Sequence, residues 1–201
     1  ASPYGLRPVK RVDGMPWAGA MDTFLIDPAG YADNIFVGQV VALNASGYIE
    51  LVSEVGSDSD AFPAGTIGVF MGCEYVNTEG SVRHSQYYPA ATTGVVKAKV
   101  ITDPNVLFQA QCDGSVTQAE LGENAYLSAS QIDGSGDSLG STFTGNSTSA
   151  LDASTIATTS GFAFRIVGFV DSPDSTVGDA FTDVLVKFNP GAHSYTNATG
   201  I

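Results

Sequence analysis

His84 and His193 are the chain's two imidazoles, and acid–base or nucleophilic chemistry at neutral pH has to be sought around them. A serine triad needs a base held against its nucleophile and oriented by a carboxylate. Arg83-His84-Ser85 brings polar residues together, but alternation along a strand sends neighbours to opposite faces. His84 therefore reads as a surface-strand histidine. Acids cluster at Asp58 with Asp60, at Asp133 with Asp137, and at Asp171 with Asp174 and Asp179. Each cluster offers the hard oxygen ligands that Ca²⁺ takes, with Asp171 to Asp183 the best placed, yet none follows the EF-hand order. Aspartate is also a turn residue in its own right, so the expectation is no metal and no cofactor. Cys73 and Cys112 form no CxxC pair and have no metal-spaced histidines. Each ends an apolar strand, which predicts buried free thiols; a disulfide between them would turn on geometry.

Gly136-Asp137-Ser138-Leu139 spells the signature of the GDSL esterases. In those enzymes the serine follows a buried strand that holds it rigidly. Here the preceding residues are Gln131-Ile-Asp-Gly-Ser-Gly136, a polar loop. Those enzymes also place an Asp three residues before the His, where this chain has Pro190 ahead of His193 and Ser81 ahead of His84. The chain has no GxSxG elbow, no HExxH and no phosphate-cradling loop. No catalytic residue is assigned, and the expectation is a protein that is not an enzyme.

The composition supports this. Apolar residues make up 43% of 201, enough to build a core, while charged residues are only 14%, against about 25% in ordinary globular proteins. The net charge of −13 argues against a nucleic-acid partner, whose footprint would be basic. No apolar run is long enough to cross a membrane as a helix, and no secretion leader is visible. The charge is unevenly spread: Arg7, Lys10 and Arg11 precede the first acid, Asp13.

The elements that would carry any site are strands. Thr66 to Cys73 is uncharged; at period two, Ile67, Val69, Met71 and Cys73 share one face, and Gly68, Phe70 and Gly72 the other. Asp22 to Asp27 reads as a short strand. Phe36 to Leu43 and Tyr48 to Ser53 read as a hairpin across Asn44-Ala-Ser-Gly47. Ser81 to Tyr88, Val95 to Ile101, Val106 to Cys112, Asn124 to Ser128, Phe162 to Val170 and Val184 to Phe188 complete the set. Val96, Ala98 and Val100 alternate with Lys97 and Lys99. Phe162 to Val170 is apolar on both faces apart from Arg165 and is expected to be buried. Thr117 to Leu121 reads as one helical turn. About ten short strands with almost no helical period predict an all-β fold, a compact barrel or sandwich with an extended N-terminal arm.

Three parts follow: a basic, aromatic arm over 1–21, a β-rich body over 22–190 and a tail over 191–201. Within the body, 128–149 is nearly all Ser, Gly, Thr, Asn and Asp, and a mobile excursion is expected there. Pro3, Pro8 and Pro16 keep the arm out of helix. Its Tyr4, Leu6 and Trp17 would each gain on the order of 2 kcal/mol by burial, so the arm either folds back on its own body or docks on a neighbour.

Four phrases are familiar together: Ala1-Ser-Pro-Tyr-Gly-Leu-Arg-Pro-Val9, Gly68-Val-Phe-Met-Gly-Cys-Glu-Tyr75, Asp103-Pro-Asn-Val-Leu-Phe-Gln109 and Val177-Gly-Asp-Ala-Phe-Thr-Asp-Val184. The set resembles the capsid decoration, or cement, proteins of tailed phages of marine and freshwater bacteria, over most of the chain outside 128–149. The resemblance implies a homotrimer on the outer surface of the virion head, contacting the major capsid protein and bridging its subunits once the shell has expanded. The charge and hydropathy read above lead to the expectation of no nucleic-acid and no membrane partner. On the decoration-protein reading Tyr4, Leu6, Arg7, Lys10, Arg11 and Trp17 form the capsid-binding arm. The alternative is a glycan-binding β-sandwich of a phage tail or secreted surface protein, with Tyr31, Tyr87, Tyr88 and Tyr195 as the sugar platform.

Overall fold

The computed structural model describes residues 2–52, 62–128 and 140–201. In chain order its strands are β1 (Arg7–Arg11), β2 (Asp22–Ile26), β3 (Ile35–Phe36), β4 (Val40–Leu43), β5 (Ile49–Leu51) and β6 (Thr66–Val76). There follow β7 (Val82–Ser85), β8 (Tyr87–Tyr88), β9 (Val96–Ile101), β10 (Val106–Gln111), β11 (Asn124–Ala125), β12 (Phe164–Phe169) and β13 (Asp183–Phe188). The fold is all-β, as the patterning predicts. Helix among the described residues is limited to single 3-10 turns such as Gln118–Glu120, where Thr117 and Glu120 close a reciprocal capping box.

β4, β5, β2, β9 and β6 lie side by side in that order, and β6 pairs back onto β4, so the five close into a small barrel with β7 appended to β6. A second, antiparallel sheet runs β1-β10-β13-β12-β11, and β3 with β8 forms a two-stranded ribbon. Closure removes edges that would otherwise need protection. The predicted hairpin is present as β4 and β5, with the Asn44 carboxamide oxygen accepting from the Ser46 and Tyr48 amides in the turn.

Two cores result. Ile26, Val41, Ile49, Ile67, Phe70, Val96, Ala98 and Val100 cluster with Cys73, and with Ile35 and Tyr88 of the ribbon. The alternation of β9 thus puts the residues expected to face inward into this core. Val40, Ala42, Val69 and Ile101, also on barrel strands, instead join Phe108, Ala110, Phe164, Ile166, Val184, Val186 and Phe188 of the sheet. Barrel and sheet share that second core. Phe108, Phe164 and Phe188 meet in it edge-on or tilted, with ring centroids 5.9 and 4.9 Å apart along the chain of contacts, geometries aromatic rings favour.

The central strand is where periodicity misassigns the faces. Ile67, Phe70 and Cys73 belong to one core, while Val69 and Met71 pack against the other. Register shifts opposite Val41/Ala42 and between Phe70 and Cys73 each slip the alternation. Gly68 and Gly72 sit at these irregularities with φ of 149° and 125°. A side chain on Gly68 would overlap the Ile101 carbonyl oxygen. Glycine-marked bulges therefore let one strand serve two cores.

Two further expectations are corrected. Phe162 to Val170 is not buried on both faces: Phe164 and Ile166 point inward while Arg165 and Val167 are exposed. Within 128–149, residues 140–149 are packed rather than free. Ser147 and Ser149 are buried, and Gly140 bridges Ser147 while Asn146 bridges Val37. The first part of that stretch, 129–139, lies outside the described residues. In the tail, Ala192 and His193 are buried, and the Ser194 amide donates to the Thr66 carbonyl at 2.7 Å.

Candidate functional site: a basic face on the second sheet

The N-terminal segment folds back on its own subunit. Arg7, Pro8, Lys10 and Arg11 of β1 pair with Gln109 to Val106 of β10 as an edge strand, with an irregularity at Val9. An edge tolerates Pro8 because no ladder donor is needed on its open side. Leu6 is only 1% exposed and part of the shared core, so it has no surface left to present to a neighbour. Trp17 packs against the same core, half-buried. Tyr4 is half-buried and lies under the Arg7 guanidinium, 4.1 Å from its ring centroid. Burial and the Asp183 carboxylate both push the Tyr4 phenol well above its usual pKa. Arg11 is engaged by Asp103 at 3.5 Å and Asp13 at 3.7 Å. Of the six arm residues, Arg7 and Lys10 remain exposed cations.

The sheet then brings partners to them. On β10, Val106 and Phe108 face the core, so Leu107 faces outward, and Lys10 is its register partner. Phe108 pairs with Val186, which puts Lys187 beside Leu107 on the other side. Lys187 in turn pairs with Arg165. One row across the outer face thus reads Lys10, Leu107, Lys187, Arg165. Arg7, paired with Gln109, lies one step along on the same face. Neighbouring strands are about 4.8 Å apart, so four of the chain's eight basic residues share a patch a few strands wide. Leu107 is 7% exposed although it belongs to neither core, as expected where long cations lay their aliphatic stems over an apolar neighbour.

None of these four cations has a carboxylate within ion-pair distance among the described residues; the pairs found there involve Arg11 and His84. Arg165 donates through Nε to the Asn124 side-chain oxygen at 3.1 Å. Asp183, beside Gln109 on the same face, accepts from the Gln109 and Gln111 side-chain amides. Arg165 and Lys187 were not among the predicted site residues. They lie 22 positions apart in sequence and far from the arm, and only strand register joins them. The one available hint was a lone cation in each of two largely apolar strands.

The other candidates do not assemble. His84 is exposed and 3.7 Å from Glu74. His193 is buried, its Nδ1 accepting from the Tyr195 amide at 3.2 Å. The two cysteines are free and buried in different cores, and burial raises each thiol to about 12. Asp179 accepts from the Thr176 amide and is held below the usual carboxylate range by it. Among the described residues no group of three His, Cys, Asp or Glu is placed to hold a metal, and no helix is long and apolar enough to cross a membrane. Gly136 to Leu139, with Asp58, Asp60, Asp133 and Asp137, lies outside the described residues. The four tyrosines do not form a sugar platform. Tyr88 is buried and bonded to Tyr31 and Thr92, Tyr31 is half-buried, and Tyr87 stacks on Phe36 at 5.5 Å. Only Tyr195 is largely exposed. A scan of protein-family models, a search of curated proteins and a search of solved structures each find no match to this chain.

Proposed function

We propose that this chain is a structural component of a tailed-phage virion, bound to the outside of the head, where as a homotrimer it bridges neighbouring major capsid subunits and stabilises the expanded shell. The observation that supports this most is the basic sheet face. Unneutralised cations on adjacent strands are unfavourable to the isolated fold, and in a molecule of net charge −13 they are concentrated in one place. An acidic protein surface would compensate them. The rest of the molecule, strongly acidic, keeps copies soluble and repels bare nucleic acid. The resemblance of its phrases to decoration proteins points the same way, and on this reading the chain acts by adhesion, with no catalytic step.

Adhesion stabilises by mass action. A ligand bound to the expanded shell and not to separated subunits contributes about 2.7 kcal/mol per site at a hundredfold excess over Kd. Deleting the arm is an unsuitable test, because β1 is part of the sheet and Leu6 part of the core. Charge reversal at Lys187 and Arg165 leaves the apolar core alone and gives up one side-chain bond, from Arg165 to Asn124. The wild-type chain is expected to co-sediment with expanded, undecorated heads, less so as salt rises, and the doubly reversed chain to stay in the supernatant. Wild-type protein that fails to sediment, or a reversed chain that sediments equally well, would reject the proposal.

A further inference from the structure

A cleft of about 490 Å³ opens where the N-terminal segment passes the loop after Gly140. Tyr4 and Arg7 stand on one wall, and Ser141, Thr144, Asn146 and Thr148 on the other. Both walls are held by main-chain hydrogen bonds. The Gly5 amide donates to the Ser149 carbonyl at 3.1 Å and the Leu6 amide to Gly38 at 2.9 Å. The Ser147 amide donates to Val37 at 2.9 Å, and the Val37 amide to Gly145 at 3.0 Å. A site fixed before its ligand arrives loses less entropy on binding.

The lining has a definite chemistry. Arg7 is its one cation. It is held against the Tyr4 face, as cation–π attraction favours, and has no carboxylate partner among the described residues. A guanidinium so placed presents a planar fork that matches a carboxylate in two parallel hydrogen bonds. The lining is mixed: Ser141, Thr144, Asn146 and Thr148 carry groups that both donate and accept, beside the apolar surface of Pro3 and the Tyr4 ring. A sugar, with ring hydroxyls and apolar C–H faces, is the complement of such a lining. A single cation, with Asp183 near the Tyr4 hydroxyl and a net charge of −13 around it, suits a monoanion and opposes a phosphate dianion. The volume falls in the range of ordinary small-molecule sites, about 300–1,000 Å³.

We propose that this cleft binds an acidic sugar of the uronic-acid type, with Arg7 pairing the carboxylate and the Ser141–Thr148 wall taking the ring hydroxyls. This is an activity distinct from head attachment, at a site that shares Arg7 with the basic face and lies away from the tyrosines that first pointed to glycans.

The test is a titration of the full chain with sodium glucuronate and sodium galacturonate, followed by amide chemical shifts or calorimetry, with glucose, acetate and inorganic phosphate as comparisons. At least one uronate is expected to saturate, with shifts confined to the cleft walls, and to bind more tightly than the three comparison ligands. Arg7→Met is expected to weaken it roughly tenfold or more, as loss of a charge-assisted bidentate contact predicts. Arg7→Lys should recover only part of this. Asn146→Ala should weaken uronate and leave head sedimentation intact, whereas Lys187→Met should do the reverse, so the two functions fail separately. No saturation by either uronate up to its solubility, acetate or phosphate binding as tightly as uronate, or an Arg7→Met chain that binds normally would each overturn the proposal.

Discussion

Arg165 and Lys187 are direct cross-strand partners on β12 and β13, two cations facing each other with no carboxylate at ion-pair distance from either among the described residues. Like charges directly opposite on a sheet are unfavourable, and opposite charges favourable, each by roughly 0.2–1 kcal/mol. Lys187→Glu turns one into the other. The expected outcome is a variant more stable than wild type by about that amount that has lost affinity for expanded heads. Urea midpoints and co-sedimentation on the same samples read the two effects. A variant that is less stable, or that binds heads as before, would show that the pair is incidental.

The bulges of β6 carry the second prediction. Gly68→Ala places a methyl against the Ile101 backbone and Gly72→Ala one 2.8 Å from the Ser85 carbonyl oxygen, both at positive φ. Each is expected to cost more than about 1 kcal/mol, since the native backbone is one alanine does not adopt. Gly68 should cost the more, because its main-chain obstacle is the closer of the two. Gly161→Ala, which meets nothing within 4 Å, is the control and should shift the midpoint little. Equal effects at all three positions would mean that the bulges do not set the two-core arrangement.

These two predictions also mark where the sequence is readable. Strand β9 declares its faces because Lys97 and Lys99 alternate with Val96, Ala98 and Val100 and no bulge falls inside it. Strand β6 declares its existence but not its faces, since Gly68 and Gly72 each slip the register by a residue. Strand β1 looks like an arm, because prolines and clustered cations are as typical of edge strands as of unattached termini. What decides is Leu6, whose place in the core depends on residues far away in sequence, from Gly38 and Val40 to Phe188. The basic face is illegible for the same reason. Arg165 and Lys187 join Lys10 only through the non-local order β1-β10-β13-β12, and no local spacing encodes that order.

The cysteines give a chemical check on the two cores. Cys73 lies with the Ile26 and Val100 cluster and Cys112 with Phe108 and Leu151, so they are neither paired nor adjacent. Burial raises both thiols to about 12, which leaves almost no thiolate, the reactive form, at a pH of about 8. A thiol reagent is expected to find neither in the native protein and both after unfolding in denaturant. Fast labelling of one thiol in the folded chain would show that its core opens locally.

His193 supplies the pH dependence. Its ring is 1% exposed, edge-on to Phe188 at 5.3 Å and to Tyr195 at 5.4 Å. Nδ1 accepts from the Tyr195 amide, so the neutral ring carries its proton on Nε2. A second proton would have to go on Nδ1 and would face that N–H. Burial accordingly pushes the pKa below 6.5, and the Ile67 and Thr102 carbonyls with the Asp103 charge offset only part of the shift. Because the unfolded chain then binds the proton more readily, stability rises with pH through this window and is lost as pH falls below about 6.5. Glu120 and Asp179, held below their ordinary values of 4.5 and 3.8, contribute only in more acid solution. The urea midpoint of the wild type should therefore fall between pH about 7.5 and 5.5, while that of His193→Gln, whatever its absolute stability, stays nearly level there. An equal slope in the variant would assign the acid sensitivity to other groups and leave His193 a packing residue only.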